Sequence, residues 1–513
     1  MKYVKSFLFT FLLLSIITSA YLFTIKGSWG NPTGGQFKNN LDQATRAFEL
    51  SPERDRYVLI MSLINDHRFN LSKVLADAAY PDTGYYQGRY YIYFTPGISL
   101  LAIPLYLIGQ HYHLAQVASF SLNILFSLGV AFFIYKIATK ILSLPPFAGV
   151  LAALIYMFAS DSWSYAVTLY QHQATTFLLM SAFFAAWWFN QSKRFSWLAA
   201  IYVWLSFAIS LLIDYPNGFF FLPIMMYFCL SNLRLSYIDS KLQITIRWSI
   251  FLTSIIFIII SIGHGYYNQV NFGSWHSLSS TLVGVKTIEQ RNLLNSSDVQ
   301  QTLQSLADKK TVTSFFSENK FPFGFYTLFF SLDRGLFLYF PIFILAVFGL
   351  SSFIKYRNAG VATLLAISLC VVFLYSSWGD PWGGWAFGPR YLIPALPIFS
   401  LLVVTWLSQK KWQLGRKLLA TPLLMYSVAV ALIGVLTTNA VPPKVEADYL
   451  HTGYNFLLNW QYLKNNYSSS FVFNTFINHK LPLWEYALAI YLFIIVTALL
   501  VLFVMPHFSK HDN

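Results

Sequence analysis

The chain reads as an all-α, polytopic transmembrane helical bundle of about 12–13 spans, with a long first extracytoplasmic loop carrying interfacial helices. Composition, recurrent apolar runs and the placement of charge predict this class. Hydrophobic residues make up 56% of the 513 positions and charged residues 11%, and the mean hydropathy is +0.53. Soluble domains carry about a quarter charged residues.

Apolar runs near the roughly 20 residues that a spanning helix needs recur along the whole chain. They lie at 6–25, 115–134, 169–189, 248–267, 335–354, 359–377, 390–408, 418–437 and 483–505, with shorter candidates at 98–110, 144–159, 196–213 and 216–230. The net charge of +14 follows the membrane and not a nucleic-acid partner. Lys136, Lys140, Lys193, Arg194, Arg234, Lys241, Arg247, Lys355, Arg357, Lys410, Lys411, Arg416 and Lys417 crowd short loops whose single acid is Asp239. The positive-inside rule makes these loops cytoplasmic. The alternate loops, with Asp161, Asp214, Asp380 and many Trp and Tyr, then face outward with the long segments 26–95, 268–322 and 438–482. Keeping Lys136 and Lys193 on one side requires 98–110, with Pro96, Gly97 and Pro104, to be interfacial or re-entrant.

Lys2 and Lys5 before the run 6–25 resemble a signal peptide, but the run exceeds an ordinary signal core and is expected to stay as an anchor. Cys229 and Cys370 sit inside apolar runs, so no disulfide framework or thiol-ligated metal is expected. The spans are expected to form one domain, 1–513, with loops folded over its outer face.

Five clusters fall on that face. The first loop holds Glu53-Arg54-Asp55-Arg56-Tyr57 and ends on DAAYPDTGYYQGRYYIYFTPG, from Asp77 to Gly97, where Asp77 and Arg89 stand in an aromatic wall that includes Tyr90 and Tyr91. Tyr57–Ile64 is apolar but too short to span, and reads as a helix lying along the surface. The others are Tyr170-Gln171-His172, Asp214-Tyr215-Pro216-Asn217, NQVNFGSW with Asn271, and WGDPWGGWAFGPRY with Trp382, Trp385 and Arg390. A polar substrate met at the bilayer boundary suits this collection.

Each cluster also has a plain structural reading. His172 suits a hydrogen bond to a neighbouring helix, Asp214 a helix cap beside Pro216, and the rings an aromatic belt. Arg334 in SLDRGLF suits a pair with Asp333. Arg390 differs: after a Gly/Trp loop and at the start of a span, its guanidinium suits a phosphate at headgroup level.

The stretches RYVLIMSLI, DAAYPDTGYYQGRYYIYFTPGISLLAIPLY, LYQHQATTF, SLDRGLFLYFPIFILAVFGL and WGGWAFGPRYLIPALP, in this order, resemble the GT-C superfamily of membrane glycosyltransferases. The similarity is to its protein O-mannosyltransferase and aminoarabinose transferase group, which uses polyprenyl-phosphate sugars. The resemblance implies a bacterial inner-membrane enzyme facing outward, moving a hexosyl or pentosyl group from a polyprenyl-phosphate donor to an acceptor hydroxyl on protein, glycan or lipid. It also implies a carboxylate base in the first outer loop. Asp77 matches the aspartate set before the Gly-Tyr-Tyr and Pro-Gly signals, while Glu53-x-Asp55 resembles the superfamily's early acidic pair; the consecutive Asp-Glu of the aminoarabinose group is absent, which leaves the base open. Arg390 is the first choice for the lipid phosphate, with Arg334 and Arg89 behind it, and His172, Asp214, Tyr90, Tyr91, Asn271, Trp382 and Trp385 are the candidates for substrate contact. No His/Asp/Glu set stands at convincing ligand spacing, so no cofactor and no metal is expected.

The alternative is a transporter or flippase for a lipid-linked saccharide. Such proteins place ionisable groups near mid-bilayer on broken, symmetry-related helices, and here the charges cluster at one side without an evident inverted repeat. A polymerase or ligase would use arginines in a late outer loop, and 438–482 has none.

Overall fold

The computed structural model describes residues 17–35, 48–191, 196–238, 241–246, 248–285, 315–410 and 412–505. Most of the first apolar run, the parts 36–47 and 286–314 of the long loops, the tail from His507, and Lys193, Arg194, Asp239, Arg247 and Lys411 lie outside them.

The described chain is overwhelmingly helical. In the first loop come α1 (Ser51–Asn65), α2 (Lys73–Ala79) and a hairpin of β1 (Thr83–Tyr86) and β2 (Arg89–Ile92). Then follow α3 (Gly97–His111), α4 (Ala115–Lys140), α5 (Pro146–Phe158), the single turn α6 (Ser162–Ala166), α7 (His172–Gln191), α8 (Ser196–Ile213) and α9 (Asn217–Leu230). A second hairpin, β3 (Leu233–Ile238) with β4 (Lys241–Ile246), precedes α10 (Ile255–Phe272) and the short β5 (Val283–Gly284). The rest includes α11 (Phe321–Phe329), α12 (Ile344–Ile354), α13 (Ala359–Ser376), α14 (Leu396–Leu407), α15 (Gln413–Leu436) and α16 (Leu483–Leu499), with the short helices Lys444–Tyr449 and Phe456–Lys464 before the last.

Among the described residues seven helical stretches are long and apolar enough to cross a membrane: Ala115–Lys140, Ser196–Ile213, Ile250–Phe272, Ala359–Ser376, Arg390–Leu407, Gln413–Leu436 and Leu483–Val504. Four shorter apolar helices accompany them, Gly97–His111, Pro146–Phe158, Asn217–Leu230 and Pro341–Ile354. The protein is an all-α, multi-pass integral membrane protein. Two apolar runs fold differently from a plain span. Run 335–354 breaks at Pro341, which has no N–H to continue the ladder, into Leu336–Tyr339 and a second piece ending in α12. Run 169–189 begins its helix only at His172, and α7 buries Gln173, Thr175, Thr176 and Ser181 inside the protein.

The core is one continuous apolar cluster running through most of the helices. Within it α4 packs on α3, α5 and α7, α7 on α8, α8 on α10, α9 on α13, and α14 on α5 and α12. Close approach is set by glycine. A Cβ on Gly324 would stand 2.0 Å from the Ser376 carbonyl oxygen, and one on Gly349 2.1 Å from that of Leu402.

Two departures from expectation concern the first loop and a loop expected to be cytoplasmic. The helix expected to lie along the surface, α1, is instead interior, with Glu53 and the run Asp55–Ser62 buried beneath α2, the hairpin and the start of α3. The positive loop after α9 folds into an antiparallel hairpin with Leu233 opposite Ile246. Its sequences LRLSYI and KLQITI alternate with the period of two that a strand requires. The outer hairpin pairs Thr83 with Ile92 around Gln87-Gly88, both at positive φ, and β5 adds a third strand by Gly84 to Gly284.

Gly349→Val and Gly324→Val are each expected to destabilise the fold by about 1–3 kcal/mol through overpacking. Gly263, with open space around its Cβ position, is the control. Thermal unfolding midpoints in detergent micelles should fall for the first two and stay near wild type for Gly263→Val.

Candidate active site

Helix α1 starts where its sequence says it should. Pro52 occupies the first turn, and Glu53 reaches back to accept the Leu50 N–H at 3.1 Å, the reciprocal half of a capping arrangement that also suits the helix dipole. The same carboxylate accepts the Glu49 N–H and, on its other oxygen, the Thr168 hydroxyl. Glu49 itself holds Lys26 in a buried ion pair at 2.8 Å and accepts the Asn439 N–H at 2.6 Å. Glu53 therefore spends one oxygen capping α1 and the other fixing it to the α6–α7 corner, while Glu49 ties the segment before α1 to the loop after α15.

Asp55, two residues on, is the opposite case. It is fully buried, and neither carboxylate oxygen has a partner in hydrogen-bond geometry. Burial raises its proton affinity well above the usual carboxylate range and the Asp82 charge adds to this, against Arg54, Arg56 and the Tyr93 backbone.

Arg56 is also buried. Its Nη1 donates to the Pro52 carbonyl at 2.6 Å and its Nη2 to Gln171 Oε1 at 2.7 Å, and its guanidinium lies 4.4 Å from the Phe94 ring and 5.9 Å from that of Tyr170. Gln171 passes the connection on, donating from Nε2 to Asp214 Oδ2 at 3.3 Å. Asp214 sits in the α8–α9 turn, which Asn217 locks by donating to the Ser210 carbonyl at 2.8 Å and to Thr175 Oγ1 at 3.0 Å. Burial pushes the Asp214 carboxyl up to about 6, with Arg56 and Gln171 opposing.

The Gly/Trp loop closes the far side. Gly383 and Gly388 take φ of 73° and 66°, the left-handed region that glycine enters freely. A Cβ on Gly383 would press on Arg390 Nε at 3.0 Å and one on Gly388 on Asp161 Oδ2 at 3.1 Å. Tyr165 brackets the loop, donating from its hydroxyl to the Phe387 carbonyl at 3.2 Å and accepting the Phe387 N–H at 3.1 Å. Arg390 Nη2 donates to the Gly383 carbonyl at 2.6 Å. Its Nε and Nη1 are shielded from solvent without a partner in hydrogen-bond geometry, and the guanidinium lies 5.5 Å from the rings of both Tyr170 and Tyr391. Tyr391 stacks on Tyr375 at 4.4 Å.

Tyr170 is thus the hub, with Arg56 on one flank, Arg390 on another, and His172 stacked parallel at 6.1 Å. The Tyr170 hydroxyl, His172 Nε2 and both oxygens of the fully buried Asp161 likewise lack hydrogen-bond partners. A buried polar group without a partner costs roughly 1–3 kcal/mol, and several gathered in one place mark where a polar ligand would restore the missing bonds.

Of the residues singled out in the sequence, Glu53, Asp55, His172, Asp214 and Arg390 come together here. Trp382 borders the cluster, its indole edge-on to Phe323 at 5.3 Å. Arg334 lies behind the same loop with its valence filled. Its five N–H groups go to Asp333 Oδ1 at 2.9 Å and to the carbonyls of Asp333, Trp382, Gly384 and Val441 at 2.8–3.3 Å.

The remainder are engaged elsewhere. Asp77 is partly exposed on α2 in an ion pair with Lys73 at 2.8 Å, whose ammonium covers the Tyr90 ring at 5.2 Å. Arg89 is exposed in the outer hairpin, and Tyr91 packs edge-on to Phe272 at 5.1 Å. Asn271 bonds the Tyr267 carbonyl of its own helix at 2.9 Å. The exposed Trp385 donates from Nε1 to Glu446 at 2.5 Å. Sequence reasoning passed over Arg56, Gln171, Tyr170, Asp161 and Asp82 as site residues. The first three stood beside residues it chose. Among the described residues no group of three or more His, Cys, Asp or Glu side chains could hold a metal ion.

No protein-family model matches the chain, and no curated protein does. Among solved structures it is similar to the aminoarabinose transferase ArnT from Cupriavidus metallidurans in the apo state, with TM-score 0.47 and 11% identity over 98% of this chain and 78% of that one. The undecaprenyl-phosphate-bound form of ArnT gives TM-score 0.47 and 11% identity over 97% and 78%. The apo oligosaccharyltransferase of Archaeoglobus fulgidus gives TM-score 0.44 and 14% identity over 88% of this chain and 58% of that one.

The contrast between the two arginines is measurable. Arg334→Met removes the cation of a buried ion pair and leaves Asp333 Oδ1 and the Trp382 and Gly384 carbonyls without their donor, and should destabilise by about 3–5 kcal/mol as removal of one member of a buried pair does. Arg390→Met gives up one carbonyl contact and should cost under about 2 kcal/mol. Unfolding midpoints in detergent separate the two.

Proposed function

We propose that the protein is a membrane glycosyltransferase that moves a sugar from a polyprenyl-phosphate donor to an acceptor hydroxyl on the extracytoplasmic side. The observation that carries this is the pairing of open valences. A buried carboxylate, Asp55, has neither oxygen in hydrogen-bond geometry with a partner, and a guanidinium, Arg390, has Nε and Nη1 in the same condition, with Arg56 and Tyr170 between them. The order of motifs that resembles the GT-C superfamily supports the same reading.

In this reading Arg390 takes the donor phosphate and the Tyr170 hydroxyl adds a neutral bond to it. The stacked Tyr375 and Tyr391 rings and the Asp214 carboxylate border the sugar. Asp55 accepts the proton of the acceptor hydroxyl as its oxygen bonds to the anomeric carbon. The bond from that carbon to the phosphate oxygen breaks and its electron pair leaves with the lipid phosphate. A positioned carboxylate base contributes about 10²–10⁴-fold. A guanidinium in a partly dry site takes up the charge gathering on the leaving group, a load a metal would otherwise carry. The positive charge of the short loops supports an outward orientation for the opposite, acid- and aromatic-bearing face.

The base acts deprotonated. Because burial and Asp82 raise the Asp55 proton affinity, the acidic limb of the rate profile lies above the ordinary aspartate value of about 3.9, and activity is lost as pH falls through that raised value. Asp55→Asn should lower transfer from a polyprenyl-phosphate sugar by about 10²–10⁴-fold in purified protein of unchanged unfolding midpoint. Asp77→Asn, which loses a half-exposed ion pair worth at most about 1 kcal/mol, should stay within about fivefold of wild type. Full activity in Asp55→Asn, or movement of intact lipid-linked sugar across liposomes without bond cleavage, contradicts the reading.

A further inference from the structure

We infer that Asp82 is a positioning residue for the transfer, its negative charge set against Asp55 so that the buried carboxylate stays basic enough to take a proton. The inference rests on Asp55 being the base and adds what tunes it.

The geometry begins at the first residue of α1. Ser51 and Asp55 are four residues apart and so share one face of the helix. The Ser51 hydroxyl donates to Asp82 Oδ2 at 2.5 Å, which pins the Asp82 carboxylate against the face that carries Asp55. The Tyr93 amide donates to the Asp82 carbonyl at 3.1 Å, tying the chain before β1 to the chain after β2. Asp82 remains partly exposed while Asp55 is fully buried. One carboxylate therefore stays at the rim and the other below it.

The charged groups facing Asp55 come from two directions. Asp82 approaches from the connection between α2 and β1, and Arg54 and Arg56 stand on its own helix, with the Tyr93 backbone close by. Both arginines are committed elsewhere, Arg54 Nη2 to the Tyr80 carbonyl at 2.9 Å and Arg56 to Pro52 and Gln171. Asp82 acts on Asp55 more strongly than either. A carboxylate flanked only by guanidinium groups is held ionised and is a poor proton acceptor. Burial reverses that bias and a like charge alongside adds to it, and a general base works best when its proton affinity is near the working pH.

The test is the pH dependence of kcat/KM for transfer, measured on full-length wild type, Asp82→Asn and Asp82→Glu. Removing the charge should move the acidic limb about one pH unit lower and lower the plateau several-fold, while Asp82→Glu returns the limb toward wild type. A limb that does not move in Asp82→Asn overturns the inference whatever happens to the plateau, because a merely structural role lowers the rate without displacing the limb. Should Asp82→Asn fail to fold, Ser51→Ala decides. It keeps every charge but frees the Asp82 carboxylate, and its limb should shift in the same direction by a smaller step; no shift overturns the inference. Absence of transfer in wild type, or an active Asp55→Asn, would instead bring down the assignment of the base.

Discussion

Two guanidinium groups flank one tyrosine inside a protein built from lipid-compatible helices, and the loops around them are organised to tolerate that. Arg56 and Arg390 reach Tyr170 from α1 and from the start of a spanning stretch, so the first loop and the Gly/Trp loop both close on the same ring. Ionised groups are expensive away from water unless paired and hydrogen-bonded. The fold meets part of that requirement with Gln171, Asp214 and the Pro52 and Gly383 carbonyls. Among the charged groups of the site, what it leaves unmet falls on Asp55, Asp161, Arg56 Nε and Arg390.

That distribution separates framework from chemistry. Arg334 and Glu53 look as functional as Arg390 and Asp55 when only residue type and position are known. In three dimensions Arg334 spends all five N–H groups on the backbone of two loops and on Asp333, and Glu53 spends both oxygens on helix capping and on Thr168. Such residues hold walls in place. Arg390 and Asp55 instead keep buried polar atoms without a partner in hydrogen-bond geometry.

The sequence shows the membrane class, most of the long spans and the clustering of polar residues at loop positions, because those follow from hydropathy, length and charge. Which loop residue faces inward is a different matter. Helix α1 carries an apolar run that suits a surface helix equally well, and only the packing of α2, the hairpin and α3 over it makes it interior. Asp77 stands beside the more prominent aromatic motif, yet Lys73, one helical turn before it, neutralises it in place. Asp82 lies in the same stretch without drawing notice, since nothing in the order of residues shows that Ser51, 31 positions earlier, will hold it. The β3–β4 hairpin was legible in the alternation of LRLSYI and KLQITI, masked by the expectation of a short charged loop.

The most direct measurement is a structure of the protein with a polyprenyl phosphate bound in a lipid nanodisc. The account predicts the phosphate within hydrogen-bonding distance of Arg390 Nε and Nη1 and of the Tyr170 hydroxyl, with the Asp55 carboxylate opening on the same space. A phosphate held instead beside Arg89 and Lys73 at the outer hairpin, with the Tyr170 cluster unchanged and closed, would contradict it.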